Sequence, residues 1–513
     1  MAVDRDTRPE DLNQLRRQRH EAAHKKRRII FNNDGCDLTH YCKEATPDAL
    51  LSLRTTPLKG TQVDSIFYST GGSFGRFKHD SELGDVFSCK AEGFANNKTQ
   101  DFIDQGTDAL RIMVEFCHQS RIECFWTMRM NDIHDSYKAW YAPYIFPQVK
   151  KDHPEWLMGS REKPPTQGRM WSAVDYGLQE VRDLALAFHQ EICENYDVDG
   201  IELDFFRQLT YFKRPAMGQD ADQDDRDSMT DLIQRLRAMS ERVGLKRGRP
   251  ILIAVRIPDS VGYCEAIGLD VTRWLKNDLI DLIVASGDFR LNPWETTVKL
   301  GKQHGVPVYA CLSSAAMRDA EARKVRASLP GWRGRAAQAW NSGASGMCVF
   351  NFFNPKSRLW NEIGDPDILA RLDKVYCSSA RGVKQVSRFL ADGERFLGRS
   401  VVSPDDPRTL NPSQSVTIDL AVGEHLAGHV EPKPGITLAL HIRPLADARH
   451  VTVKLNGEPL ADGALSGVWC EFAVSPSRIE IGMNRVEVAV TGNVATPPLL
   501  HDMALWVRYP RRP

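Results

Sequence analysis

Val198–Gln208 reads VDGIELDFFRQ, and the fold turns on its alternation. Ile201, Leu203 and Phe205 share one parity; Glu202 and Asp204 share the other. Successive side chains of a strand point to opposite faces, so this strand is apolar on one side and doubly acidic on the other. Helices covering the apolar face and a barrel interior receiving the acids satisfy both. Asp204 then lies near the carboxyl end of the strand, where catalytic groups sit in barrels of this kind. Carboxylates buried without partners are costly, so polar company is expected around them.

Working outward, seven more apolar runs resemble this one. They are RRIIFNND (27–34), DSIFYST (64–70), IECFWTMRMND (122–132), PILIAVRIPDS (250–260), IDLIVASGD (280–288), VPVYACLSS (306–314) and ASGMCVFNFF (344–353). Helical patterns with apolar spacings of three and four lie between them, such as TQDFIDQGTDALRIMVEFCHQSR (99–121) and GLQEVRDLALAFHQEICENY (177–196). Eight strand–helix units predict a (β/α)₈ barrel over residues 29–385, because closure removes both sheet edges. Residues 1–28 form a charged lead-in, helical or mobile. From 386 to 513 the strands shorten and alternate, as in GITLALHIRP (435–444) and HVTVKLNGEPL (450–460), with an Asn456-Gly457 hairpin signal. This is an antiparallel β-sandwich.

The ends of the barrel runs are polar. Asn32, Asn33 and Asp34 end the first; Arg129, Asn131 and Asp132 the third; Arg256 and Asp259 the fifth. Asp288 ends the sixth and Asn351 the eighth. Polar ends on so many strands at one rim predict a binding pocket, with Glu202 and Asp204 facing it. Asp132 and Asp259 also suit helix caps. The loop 135–159 is long and rich in aromatics, with Tyr137, Trp140, Tyr141, Tyr144 and Trp156. Such rings stack on the C–H faces of sugars, and long loops in compact domains are usually functional. They suit a satellite core under the loop equally well. Trp126 and Trp294 stand near strand ends and are placed beside the pocket.

Lys plus Arg and Asp plus Glu both number 67, which gives no electrostatic reason to expect nucleic acid or an anionic membrane as partner. No apolar run reaches the roughly 20 residues that span a bilayer. The 11 cysteines are odd in number and never spaced C-x-x-C, which predicts neither a zinc site nor a disulfide framework. No cofactor is expected. As written, the chain reads as cytoplasmic; a leader removed upstream would make it secreted or periplasmic. The oligomeric state stays open.

The segments HPEWL (153–157) and WSAVDYGLQEVRDLALAFHQEICENYDVDGIELDFFR (171–207) resemble the (β/α)₈ proteins related to family 10-like glycosyl hydrolases. The likeness covers strands three and four well and the rest of the barrel in outline. It implies carbohydrate as substrate and singles out Asp204 as the strand-four carboxylate; Glu202 stands where relatives often carry His. The terminal sandwich resembles accessory sandwiches attached to many glycosidases.

Glycoside hydrolysis takes one carboxylic acid to protonate the leaving oxygen and one carboxylate to attack or to activate water. The expected nucleophile is Asp204. Barrels resembling retaining α-glycosidases place the acid on strand six, which implies Asp288, with Glu202 as its substitute. A retaining mechanism is favoured on that analogy. Asn33, Asp34, Trp126, Arg129, Asn131, Asp132, Trp140, Tyr141, Arg256, Asp259 and Asn351 are the expected substrate contacts. Two rivals stand beside this: a non-catalytic carbohydrate-binding barrel, and a metal-dependent hydrolase using Asp34, Asp37 and His40 of NNDGCDLTH (32–40).

Overall fold

The computed structural model describes residues 9–168, 170–313, 317–381, 385–412, 414–426, 433–491 and 496–510. Eight parallel strands close on themselves in sequence order. They are β1 (Ile29–Asn33), β2 (Val63–Tyr68), β3 (Glu123–Arg129), β4 (Gly200–Asp204), β5 (Leu252–Ile257), β6 (Leu282–Ala285), β7 (Val308–Ser313) and β8 (Gly346–Phe350). Closure is made where Ile29 of β1 pairs with Met347 of β8. This is the barrel that the eight apolar runs predict.

Alternation sets the interior. Phe67, Phe125, Leu252, Val284, Tyr309 and Phe350 form a cluster separate from the one under the helices. The lead-in is an ordered helix, α1 (Pro9–Ala23), and its last turn closes the amino-terminal end of the barrel. Ala22 and Ala23 join the interior cluster, and Arg27 pairs with Glu123 at 2.6 Å. The stability face of the barrel is thereby sealed, and access is left to the opposite rim.

Behind the barrel, β10 (Val416–Val422), β11 (Gly435–Arg443), β12 (Val451–Leu455), β13 (Trp469–Ala473), β14 (Gly482–Val490) and β15 (Leu499–Arg508) build two antiparallel sheets. Asn456 and Gly457 both have positive φ (53° and 86°), as their hairpin turn requires. The sandwich reaches further back than residue 386. Strand β9 (Lys374–Cys377), inside the span expected for the barrel, pairs with β15. Its residues offer the backbone edge that β15 lacks, so pairing outweighs chain proximity to β8.

The two parts pack tightly. Gly423 lies so close to the helix Leu329–Asn341 that a Cβ there would sit 2.1 Å from the Ala337 carbonyl carbon. Arg326 makes a bidentate pair with Asp502 of β15, both bonds 2.7 Å, with both residues buried. Among the described residues no helix is long and apolar enough to cross a membrane.

Candidate functional site

Glu202 and Asp204 face the barrel interior, as their parity requires, but neither lines the cavity at the barrel mouth. Asp204 is 1% exposed and pairs with Arg256, its register neighbour on β5, through Nε at 2.9 Å and Nη2 at 2.5 Å. Its Oδ1 also accepts the backbone N–H groups of Phe206 and Arg207, each at 2.9 Å. The Arg256 guanidinium lies 3.9 Å from the centre of the Phe350 ring. The expected nucleophile is therefore a strut. It neutralises Arg256 and folds the chain after β4.

Glu202 is fully buried. Its Oε2 accepts the Thr127 hydroxyl at 2.8 Å, and its Oε1 has no partner. Burial first, and then the charge of Asp204, push its carboxyl up to about 7. The shift favours the protonated form, which relieves part of the cost of burying a charge.

The cavity lies above these residues, at the carboxyl-end mouth, with a volume of about 250 Å³. The segment after β1 contributes Asp34, Cys36, Thr39 and His40; the long segment after β2 contributes Gly71, Gly72, Lys78, Phe87 and Phe94. Arg129, His134, Tyr141 and Ile145 enter from β3 and its loop, Arg207 from beyond β4, and Asn351 from beyond β8. Asn351 has φ 54°, a conformation few residues other than Gly, Asn and Asp adopt. Ser286, at the end of β6, has φ 69°. Such backbone departures gather at functional rims.

The electrostatics of the mouth are paired. Asp34 accepts Arg54 Nη1 at 2.6 Å and the Cys36 N–H at 3.0 Å, both on Oδ1. Burial pushes its carboxyl up, but Arg54, Arg129 and Lys78 together overcome this and hold it near 2. Asp132 accepts Arg129 Nη1 at 3.0 Å and contacts His134 Nδ1 at 2.6 Å. Burial opposes its charge, yet His134 and then Arg129 keep it well below the usual carboxylate range. His134 Nε2 in turn lies 3.2 Å from Arg207 Nη2. Arg207 Nη1 is 3.8 Å from Asp288, which Arg381 holds at 2.9 Å. Burial, then Asp34, raise the Cys36 thiol to about 11, so it is no ready nucleophile.

Of the expected contacts, Asp34, Arg129, Tyr141 and Asn351 border this cavity. Asp132 and Asp288 stand one residue behind it, through Arg129 and Arg207. The others are placed elsewhere. Trp126 shares the parity of Cys124 and Met128; it faces the helices and donates to Thr70 Oγ1 at 2.8 Å. Asn33 likewise points away from the interior and donates to Asp37. Asn131 ties the loop after β3 to Val174 and Thr210. Arg256 belongs to Asp204. Asp259 caps no helix; it accepts the N–H groups of Leu291 and Asn292 and joins two loops. Trp294 is buried under Arg290. Trp140 is 46% exposed and packs on Phe94 rather than on the cavity.

The metal reading fails on geometry, because Asp37 turns into its own helix to accept Asn33 and the Leu38 N–H. No group of three His, Cys, Asp or Glu converges among the described residues. Lys78, Phe87, Phe94 and His134 escape the sequence reading. For the first three the one signal is length: about thirty residues separate β2 from the next helix, Thr99–Ile103.

No family model matches the sequence, and no curated protein matches it. Several solved structures resemble the chain at low identity. One is the GH36 α-galactosidase AgaA of Geobacillus stearothermophilus in complex with 1-deoxygalactonojirimycin, at 13% identity and TM-score 0.38 over 93% of this chain and 59% of that one. Another is a cycloisomaltooligosaccharide glucanotransferase of Paenibacillus sp., at 9% identity and TM-score 0.33 over 94% and 57%. A third is the chitinase ChiW of Paenibacillus sp., at 12% identity and TM-score 0.37 over 92% and 52%. The chain spans just over half the length of these structures.

Proposed function

We propose that the protein is a glycoside hydrolase that cleaves a glycosidic bond of an oligo- or polysaccharide in the cavity at the barrel mouth. One observation carries this: an ionised carboxylate, Asp34, borders a cavity that also presents Lys78, Arg129, His134, Arg207 and Asn351 beside Phe87, Phe94 and Tyr141. Polar groups for hydroxyls next to rings for C–H faces suit a sugar. The resemblance of residues 153–207 to glycoside-hydrolase-like (β/α)₈ barrels points the same way, without a family 10 match.

In this proposal Asp34 is the carboxylate that attacks or activates water, since its Oδ2 takes no hydrogen bond from the described residues. Asp288, on the far side of Arg207, is the second carboxyl that the chemistry requires. Asp204 is a positioning residue, acting through the backbone of Phe206 and Arg207.

The test is turnover on a panel of glycosides and polysaccharides for wild type, Asp34→Asn, Asp288→Asn and Asp204→Asn, with melting curves to check folding. Asp34→Asn is expected to lose about a hundredfold or more in rate while still folding. Wild-type turnover in Asp34→Asn would overturn its assignment, and loss confined to a folded Asp204→Asn would return the role to β4. The second reading, a carbohydrate-binding barrel without catalysis, is favoured by the burial of both strand-four carboxyls. Glycan binding by a wild type that cleaves none of the panel would establish it.

A further inference from the structure

A second cavity, sharing no residue with the first, lies where the barrel meets the sandwich. Four arginines border it: Arg290 beyond β6, Arg326 and Arg335 on the helices after β7, and Arg399 on the approach to the sandwich. Ser378 and Ser379, just past β9, complete its polar wall.

Among the described residues, Arg326 is the one of the four in an ion pair, with Asp502. The other three make no ion pair among the described residues and spend their N–H groups on carbonyl oxygens. Arg335 donates to Ser313 O at 2.6 Å, to Arg326 O at 3.2 Å and to Gly331 O at 3.3 Å. Arg399 donates to Ser378 O at 2.8 Å, and Arg290 to Asn292 O at 3.3 Å. The Nε atoms of Arg290 and Arg399 are buried with no partner, and Arg399 is only 7% exposed. Trp294 and Trp332 back Arg290 and Arg335, each 4.2 Å from guanidinium to ring centre, and fix them facing the space.

Asp259 and Glu295 offset part of the charge of Arg290 and Arg399 from a distance, and Asp419 part of that of Arg399, but none forms an ion pair with them, and several cations in one cavity repel one another. Burial, then Arg399, push Arg290 down to about 9, and burial drives Arg335 to about 10. Three guanidinium groups converging with unused N–H donors are the arrangement that grips a multiply charged oxyanion. The cavity is narrow, which suits a small tetrahedral ion.

We propose that this cavity binds phosphate, as the free ion or as the terminal group of a small ester, and that the bound anion fastens the sandwich to the barrel. Arg290 and Arg335 belong to the barrel, whereas Arg399 and the Ser378–Ser379 turn lead into the sandwich, so one anion engages both.

The test is thermal unfolding of the full chain in inorganic phosphate, in glycerol phosphate and in potassium chloride at matched ionic strength. Inorganic phosphate is expected to raise Tm saturably by about 3 °C or more over chloride. An equal rise with glycerol phosphate would identify the group on a larger molecule, and a rise with phosphate alone the free ion. Arg399→Gln and Arg290→Gln are each expected to bind phosphate at least about tenfold more weakly. Both should melt no lower than wild type in phosphate-free buffer, because each removes a cation that has no ion pair and repels its neighbours. A wild type indifferent to phosphate, or variants that keep its full response, would overturn the proposal. The second variant covers the case in which the first does not fold.

Discussion

At the barrel mouth each arginine bordering the cavity has a carboxylate nearby: Arg129 has Asp132 at 3.0 Å and Arg207 has Asp288 at 3.8 Å. At the junction, Arg290, Arg335 and Arg399 face carbonyl oxygens and one another. The two cavities use the same residue type for different ends. Where cation and carboxylate come in pairs, the local field is balanced and the remaining donors and acceptors suit a neutral, hydroxyl-rich ligand. Where guanidinium groups stand without ion pairs, an anionic ligand is the partner that would complete the balance. Charge pairing, more than residue composition, separates the two cavities of this chain.

The barrel floor applies pairing most stringently, so breaking it should give the largest effect. Arg256→Ala leaves Asp204 buried and charged with only two backbone amides. A loss of about 3–5 kcal/mol is expected in denaturant unfolding. The double variant Asp204→Asn/Arg256→Met, which removes both charges, should recover much of that loss. A double variant no better than Arg256→Ala would mean that shape, not charge, governs the floor.

Glu202 stands two residues away without a cation, and its response to pH sharpens the contrast. Its carboxyl lies near 7 in the native protein, against an ordinary value of 4.5. Below pH 4.5 both native and unfolded chains hold the proton, and the group adds no pH dependence. Between 4.5 and 7 the native chain keeps a proton that the unfolded chain releases, so stability falls as pH rises, by about 1.4 kcal/mol per unit. Above 7 the loss is complete, at about 3 kcal/mol. Glu202→Gln should abolish that slope, matching wild type at pH 4 and exceeding it at pH 8. Parallel stability–pH curves for the two proteins would show that Glu202 is charged and solvated in the native state.

The barrel was legible because each strand is a short apolar run with a polar end, and closure follows from eight such runs. The inward direction of Glu202 and Asp204 was legible from parity. Their depth was not. Alternation reports which face a residue takes, whereas the register that sets Arg256 beside Asp204 depends on how β5 pairs with β4. Trp126 and Asn33 were legible and misread, since both carry the outward parity of their strands. Lys78, Phe87 and Phe94 sit in a segment without regular periodicity, so nothing in the pattern announced them. The arginine cavity draws on residues 290, 326, 335 and 399. No local motif joins positions so far apart along the chain.

The smallest expected effect concerns the aromatic loop, where sequence left a sugar platform and a satellite core equally open and the structure gives a support. Trp140 lies half-exposed on the outer side of Phe94, ring centres 4.9 Å apart, and its indole fills the space against Gly93. Phe94 borders the cavity from the other side. Trp140→Ala should therefore loosen Phe94 without removing any group from the lining. An exposed aromatic contact of this kind is worth about 0.5–1.5 kcal/mol, so stability should fall by no more than that. If the mouth takes a sugar, KM for it should rise a few-fold with kcat unchanged, because Phe94 would hold ground state and transition state equally. Tyr141→Phe offers the control, since it keeps the ring in the lining and removes only a hydroxyl. A Trp140→Ala change that lowers kcat and leaves KM alone would place the indole against the reacting sugar, and the pairing rule of the mouth would then need an aromatic member.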